Sequence, residues 1–292
     1  MIPFLHIWPW PWPIPTFGLM VACAMLTSYF LLRADLARRG IAAKNSGEAE
    51  ALISFPCLAG FAGAKLYHLL ESPAEFFADP VHLLFSPYGF AWFGGLLAGF
   101  AAFSFVAWRI IQHNALAGHS VSLLTIFDVG SPAAALGYGI GRIGCLLSGD
   151  GDYGIPTSLP WGMSFPNGLV PTVERVHPTP IYEFIAACAI AWWLWKMGAP
   201  GDAGSRRKER AFRHADADTH AVAASRRQPG EVFAAYLVLT GVARFLVEFI
   251  RINPRSFLGM SNAQTAAAVS VIAGAVLWEW LRRKSGAPNA AI

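Results

Sequence analysis

Apolar residues along this chain gather into long runs separated by short polar stretches. Seven of these runs approach the length of about 20 residues needed to cross a bilayer's hydrocarbon: 14–33, 51–71, 88–111, 121–147, 179–199, 231–251 and 262–281. The pattern predicts an all-α, polytopic membrane protein of about seven transmembrane helices. Residues 1–13, MIPFLHIWPWPWP, hold too many prolines for a helix. Their tryptophans suit the headgroup region, so this stretch reads as an interfacial lead-in. No basic residues precede its apolar part, which argues against a cleaved signal peptide. The hydrophilic insert 200–229 has almost nothing to bury and reads as a mobile cytoplasmic loop within one integral membrane domain, 1–292. No internal repeat is visible.

The charges that separate the runs sort by side. The segment 33–50 holds Arg33, Arg38, Arg39 and Lys44, and the segment near 109–120 holds Arg109 with two histidines. The insert carries six arginines and a lysine, and the tail adds Arg282, Arg283 and Lys284. The alternating segments 72–87, 148–178 and 252–261 hold only Arg175 and Arg255, with several acids. The positive-inside rule then places the N-terminus outside, the C-terminus in the cytoplasm, and an odd number of spans between them.

Composition adds little to this and excludes much. A 55% hydrophobic content, 14% charged residues and a mean hydropathy of +0.44 exclude an ordinary soluble domain of 292 residues. The net charge of +4 is accounted for by the cytoplasmic loops, with no basic, aromatic surface that would suit nucleic acid. Cys23, Cys57, Cys145 and Cys188 lie in apolar runs without metal-ligand spacing, so neither disulfides nor a zinc site is indicated.

Candidate chemistry lies where polar residues interrupt the runs. The stretch Gly137–Gly154, GYGIGRIGCLLSGDGDYG, sets Arg142 among glycines at the end of the fourth run. A guanidinium at membrane depth is costly, and marks a functional site with an anionic partner. That partner would be a phosphate; the alternative is a snorkelling arginine beside Gly137 and Gly141, which would serve helix packing. Gly139 to Gly144 also spells GxGxxG, but no strand or βαβ unit surrounds it, so it is not a dinucleotide fingerprint. Lys65, Tyr67 and His68 lie in the second run, Asp128 in the fourth, Tyr182 and Glu183 at the start of the fifth, and Arg244 and Glu248 in the sixth. Topology brings Arg142, Tyr182, Glu183, Arg244 and Glu248 to the outer half of the membrane. Arg244 and Glu248, four apart, could simply neutralise one another. Two arginines against that one glutamate would still leave a cation for a phosphate, which a planar guanidinium fork suits.

These motifs resemble the prolipoprotein diacylglyceryl transferase family. The resemblance runs through IPTFGLM (14–20), GAKLYHLLES (63–72), WFGGLLAG (92–99), DVGSPAAALGYGIGRIG (128–144), VHPTPIYE (176–183), GVARFLVEFIR (241–251) and LGMSNAQ (258–264). It implies a transferase that moves diacylglycerol from phosphatidylglycerol to the lipobox cysteine of a prolipoprotein signal peptide, in the bacterial cytoplasmic membrane. It implies no metal or diffusible cofactor. Arg142 and Arg244 match the family's essential arginines, Glu248 its acidic partner, and Asp150 the glutamate after the exit glycine. Gly94, Gly95, Gly141, Gly144, Cys145, His177, Tyr182 and Glu183 fall in the motifs expected around the substrates. The chain departs from the family pattern at Phe93, where the family has the histidine proposed as general base, at Phe17 and Thr240 for tyrosines, and at Cys145 for asparagine. His177, His68 or Asp150 could take the base's place in a paralogue using another acceptor. A non-catalytic phospholipid-binding protein that kept the phosphate clamp is the further alternative.

Overall fold

The structure, a computed structural model, describes residues 2–6, 13–41, 47–71, 73–85, 91–116, 121–199, 227–257 and 259–286. Most of the lead-in's tryptophan and proline run, and the insert 200–229 up to residue 226, lie outside these residues. The long helices are α1 (Thr16–Arg39), α2 (Glu48–Glu71), α5 (Trp92–Leu116), α6 (Leu123–Ser148), α7 (Thr179–Met197), α8 (Glu231–Val247) and α9 (Asn262–Gly286). Each begins within a few residues of its predicted run, and several extend further into the polar flank, where the backbone ladder continues past the apolar residues. Short helices α3 (Pro73–Ala78) and α4 (Pro80–Phe85) were not anticipated. Each begins at a proline, whose missing N–H costs nothing in the first turn.

Six of the long helices are long and apolar enough to cross a membrane: α1, α2, α5, α6, α8 and α9. Helix α7 is not among them. It is 19 residues long, and Glu183, Trp192, Trp193, Trp195 and Lys196 dilute its aliphatic content.

The chain divides into two compact units: the described residues of 1–39, 127–219 and 223–292, and those of 40–126. In the second unit α2 and α5 cross at very close range, through glycines. A Cβ on Gly60 would meet the Gly95 carbonyl at 3.3 Å, one on Gly99 would meet Pro56 O at 3.3 Å, and one on Gly94 would collide with Gly63 and Tyr67. Such small-residue contacts let backbones approach where lipid offers no hydrophobic drive for association.

The first unit is built on α6. Its glycines face different partners: Gly137 faces Ser28 of α1, Gly139 faces Ala187 and Phe184 of α7, and Gly144 faces Met20 and Phe17 of α1. Ser28 Oγ donates to the Ala133 carbonyl at 3.0 Å, beside Pro132, so α1 is tied to α6 where the proline interrupts its ladder. Ala135, Ala191, Leu194, Met197, Val232 and Ala235 form the apolar core between α6, α7 and α8. Helices α8 and α9 close on each other at Gly241 and Gly274.

At the other end of α6, Asp128 anchors α8. Its carboxylate accepts the N–H groups of Gly230 and Phe233, each at 2.7 Å, capping a helix whose N-cap, Gly230, lies 102 residues later in sequence. Gly230, with φ 101°, takes the left-handed conformation that starts this turn.

Between α6 and α7 the chain forms a small extended layer. Strand β3 (Met163–Phe165) pairs antiparallel with β4 (Thr172–Val176), and residues 154–157 run along β4's end and bridge to Arg251. Further two-stranded pairs are β1 (Phe4–Leu5) with β2 (Ile14–Pro15), and β5 (Arg255–Phe257) with β6 (Met260–Ser261). The sequence reading did not include these short strands. Their consequence is positional: they bring the residues after α6 and the residues after α8 against the start of α7.

Candidate functional site

Arg142 sits in the last two turns of α6, Glu183 in the second turn of α7, and Arg244 in the last turn of α8. Glu183 is the hub of the arrangement. Its Oε1 accepts from Arg244 Nη1 at 2.5 Å and from the Tyr138 hydroxyl at 2.7 Å. Its Oε2 lies 2.7 Å from Arg142 Nε, an ion contact without hydrogen-bond alignment, and 3.5 Å from Arg251 Nη1. A carboxylate only 3% exposed on its side chain is tolerated because several cationic or hydroxyl donors surround it.

The rest of the cluster is supplied by the chain beyond the helix ends. Asp152, in the turn after α6, accepts from Arg142 Nη2 at 2.5 Å with Oδ2 and from Arg251 with Oδ1. Glu248, in the 3-10 turn that ends α8, lies 3.0 Å from Arg244 Nη2 and 3.6 Å from Arg251 Nε. Asn253 and Ser261 also donate to Glu248 Oε1, and Gln264 receives the Ser261 N–H. The SNAQ motif is thus a support for Glu248. The Thr179 hydroxyl donates to the Asp152 carbonyl at 2.5 Å, fixing the turn against the start of α7.

Three arginines therefore face three carboxylates: Arg142, Arg244 and Arg251 against Asp152, Glu183 and Glu248. This corrects the expectation of two arginines against one glutamate with a cation left over. Arg251 closes the sixth run and Asp152 lies in a polar loop. Charges at such places are ordinary in sequence, and only the tertiary bridge between residues 154 and 251 brings them inward.

Asp150 and Asp152, in the turn after α6, take different partners. Asp152 makes the ion pair with Arg142, while Asp150 accepts the Asp152 N–H at 3.2 Å and interacts with the Cys145 thiol. Gly149 and Gly151, with φ 60° and 91°, allow the turn that selects between them. Burial pushes the Asp150 carboxyl above its ordinary range, partly opposed by its bond with Cys145. Burial also raises Asp152, but the Arg142 and Arg251 guanidiniums outweigh it and hold that carboxyl below its usual value.

Cys145, which the resemblance sets in the position of the family's asparagine, receives a hydrogen bond from Arg142 Nη1 at 3.3 Å. Its Sγ and carboxylate oxygens of Asp150 and Asp152 all lie within 4.8 Å of one another, a set that could accept a cation. Arg142 and Arg251 already neutralise Asp152 and would compete with one.

The remaining expected residues fall in three places. His177 and Tyr182 pair, Nδ1 to hydroxyl at 3.2 Å, and the Trp161 indole N–H donates to the same hydroxyl at 2.8 Å. Gly144 packs against Phe17, while a Cβ at Gly141 would meet nothing within 4 Å. Gly94 and Gly95 belong to the second unit, where close contact with α2 requires the absence of a side chain. Sequence reasoning missed Tyr138, Asp152, Arg251, Asn253 and Ser261. Tyr138, Asp152, Arg251 and Ser261 were visible only as parts of quoted stretches.

A multi-pass α-helical membrane protein with a buried arginine and carboxylate cluster at the ends of three helices is the class that this fold and site define. The family model for prolipoprotein diacylglyceryl transferase matches residues 4–280, and the chain belongs to that family. It is 28% identical to the phosphatidylglycerol–prolipoprotein diacylglyceryl transferase of Clostridium tetani over 88% of this chain and 89% of that one. The enzymes of the same name from Geobacter sulfurreducens and Bordetella avium are 27% and 28% identical, over 84% and 92% of this chain and 80% and 90% of theirs.

Proposed function

We propose that this chain transfers the diacylglyceryl group of phosphatidylglycerol to the lipobox cysteine thiol of a prolipoprotein, the first step of lipoprotein maturation. The observation that carries this reading is the convergence of Arg142 and Arg244, from different helices, on the single carboxylate of Glu183. Two guanidiniums held at one place offer planar donor forks to a phosphodiester. Family membership supplies the substrates. In this reading Arg142 and Arg244 bind the phosphate, Glu183 and Glu248 hold the two forks in place, and Gly141 leaves room beside them. Gly144, Cys145, His177 and Tyr182 belong to the surroundings of lipid and peptide, while Gly94 and Gly95 let α5 pack closely on α2. Asp150 stands beside Cys145 as an acid–base candidate.

The reaction is a displacement at carbon. The acceptor thiolate attacks the glycerol carbon that bears the phosphate ester, the C–S bond forms, and the C–O bond breaks. Its electron pair leaves with glycerol phosphate, whose developing charge the arginines stabilise. The thiol proton passes to a base.

The same reading places the chain as one integral domain in the bacterial cytoplasmic membrane. Helix α7 is its seventh crossing, the N-terminus is outside and the C-terminus cytoplasmic, as the basic loops favour. Reporter fusions after residues 204 and 292 should both be cytoplasmic, and a periplasmic C-terminus would refute this topology. Activity is tested by transfer from labelled phosphatidylglycerol to a lipobox peptide in nanodiscs. Transfer by the parent that disappears in Arg142→Ala, with the variant present in normal amount, supports the enzyme. Binding of phosphatidylglycerol with no transfer at any pH would favour the non-catalytic alternative.

A further inference from the structure

The charge balance of the cluster has a consequence for any anion that enters it. Three guanidiniums are matched by three carboxylates, so an added phosphodiester would leave one negative charge uncompensated in a largely buried site. Such a charge is costly, and one carboxylate must give way. Glu183 and Glu248 are poor candidates. Their side chains are 3% and 1% exposed, and each is held from several sides, Glu248 also by Asn253 and Ser261.

Asp152 differs in each respect. Its side chain is 29% exposed, it sits in a turn rather than a helix, and Asp150 places a second carboxylate nearby. Its two oxygens take Arg142 Nη2 and Arg251 Nη2, one each. That is the bridging geometry a phosphate would adopt between two guanidinium forks. Arg251, 6% exposed on its side chain, is paired with Asp152.

We infer that the Asp152 carboxylate holds the place of the lipid phosphate in the lipid-free protein, and that Arg251 is a third phosphate ligand, presented once Asp152 turns away. The inference rests on the transferase reading for the identity of the lipid. The phosphodiester displaces Asp152 from Arg142 and Arg251, while Glu183 and Glu248 keep the three arginines aligned. No bond is made or broken in this exchange of ion pairs.

The test measures affinity of the purified full-length protein for dihexanoyl phosphatidylglycerol, with inorganic phosphate as a parallel ligand. Asp152→Asn should bind the lipid about tenfold more tightly, the size expected when one charge-assisted hydrogen bond no longer has to be broken. Asp152→Glu, which keeps the charge, should show no such gain. In the Asp152→Asn background, Arg251→Lys should weaken lipid binding about fivefold or more, since an ammonium lacks the fork. Unchanged or weaker binding by Asp152→Asn, in protein whose melting in detergent is intact, would overturn the inference, because a carboxylate that merely positions the arginines helps binding. A gain confined to inorganic phosphate would overturn the assignment to a lipid headgroup. Loss of the transferase reading would appear separately, as absent transfer in a parent whose affinity still rises on Asp152→Asn.

Discussion

Arg244 donates to Glu183 at 2.5 Å across 61 residues of chain, while its other terminal nitrogen lies 3.0 Å from Glu248, one helical turn further on. The i, i+4 neighbour alone does not hold this guanidinium. A glutamate of α7 turns Arg244 toward Arg142, which contacts the opposite oxygen of the same carboxylate. Orientation, more than net charge, is what this arrangement supplies.

Lysine at either arginine should therefore impair transfer more than conservation of charge suggests. Arg142→Lys and Arg244→Lys are each expected to lose at least tenfold in kcat/KM, about 1.4 kcal/mol of transition-state stabilisation, because an ammonium cannot span a carboxylate and a phosphate oxygen in one plane. Steady-state transfer to a lipobox peptide checks this. Parent-like rates in both variants would remove the arginines from the reaction.

The Asp128 cap gives a prediction about assembly. Its carboxylate satisfies two N–H groups at the start of α8 and joins that helix to α6. Asp128→Ala should lower stability by about 1–2 kcal/mol, the usual cost of removing a helix cap. Thermal melting in detergent should show the loss, while kcat of the folded fraction stays near that of the parent. A large fall in kcat at unchanged stability would show that Asp128 acts elsewhere.

How much of this was legible in the sequence follows from where each residue sits. Arg142, Glu183 and Arg244 stand out because a charge within an apolar run is expensive, and the resemblance to a family pointed to the same positions. The helices were legible for the complementary reason: long apolar runs have few other fates. Asp152 and Arg251 were hidden because charges at the ends of spans are ordinary. Their importance comes from the pairing of residues 154–157 with residues near 176 and 251. The choice between Asp150 and Asp152 depends on the backbone conformation at Gly149 and Gly151, which no hydropathy pattern encodes. Helix α7 shows the reverse case. Its position was legible, but its tryptophans and two charges place it outside the set of strongly apolar spans.

Asp150 supplies a pH-dependent expectation. Burial raises its carboxyl in the folded protein, so folding is penalised once pH exceeds the unfolded value, near 4. The penalty is absent below that pH, grows as pH rises, and is complete above the folded value. Asp150→Asn removes it. The melting temperature of the variant should therefore match or trail the parent near pH 4 and gain on it toward neutrality. Asp152, held low by two guanidiniums, contributes stability with the opposite sign, lost only at lower pH, and it is present in both proteins. A difference between the two proteins that is flat with pH would show that Asp150 is not held in its charged form against burial.

The acceptor thiol must lose its proton before its sulfur can attack carbon. The resemblance sets Phe93 where the family carries a histidine, and a phenyl ring can neither accept nor donate a proton. Guanidiniums near a bound thiol favour its thiolate, and each unit of lowered pKa is worth about 1.4 kcal/mol. They can replace a base only in part. The parent should therefore transfer slowly, with a rate that climbs as pH rises toward the thiol's own ionisation near 8.5. Phe93→His should raise the rate at pH 7 by about tenfold, less than the roughly hundredfold or more that a positioned base supplies because the guanidiniums already favour the thiolate, and flatten the climb above that pH. Rates measured from pH 6 to 9 for the parent, Phe93→His and Phe93→Leu separate this from a packing effect, since leucine alters the shape without adding a base. A parent profile already flat above pH 7 would instead mean that another residue does the work of the missing imidazole. His177 is then the first to substitute, because its Nδ1 pairs with a Tyr182 hydroxyl that Trp161 also binds, the kind of support that orients a base.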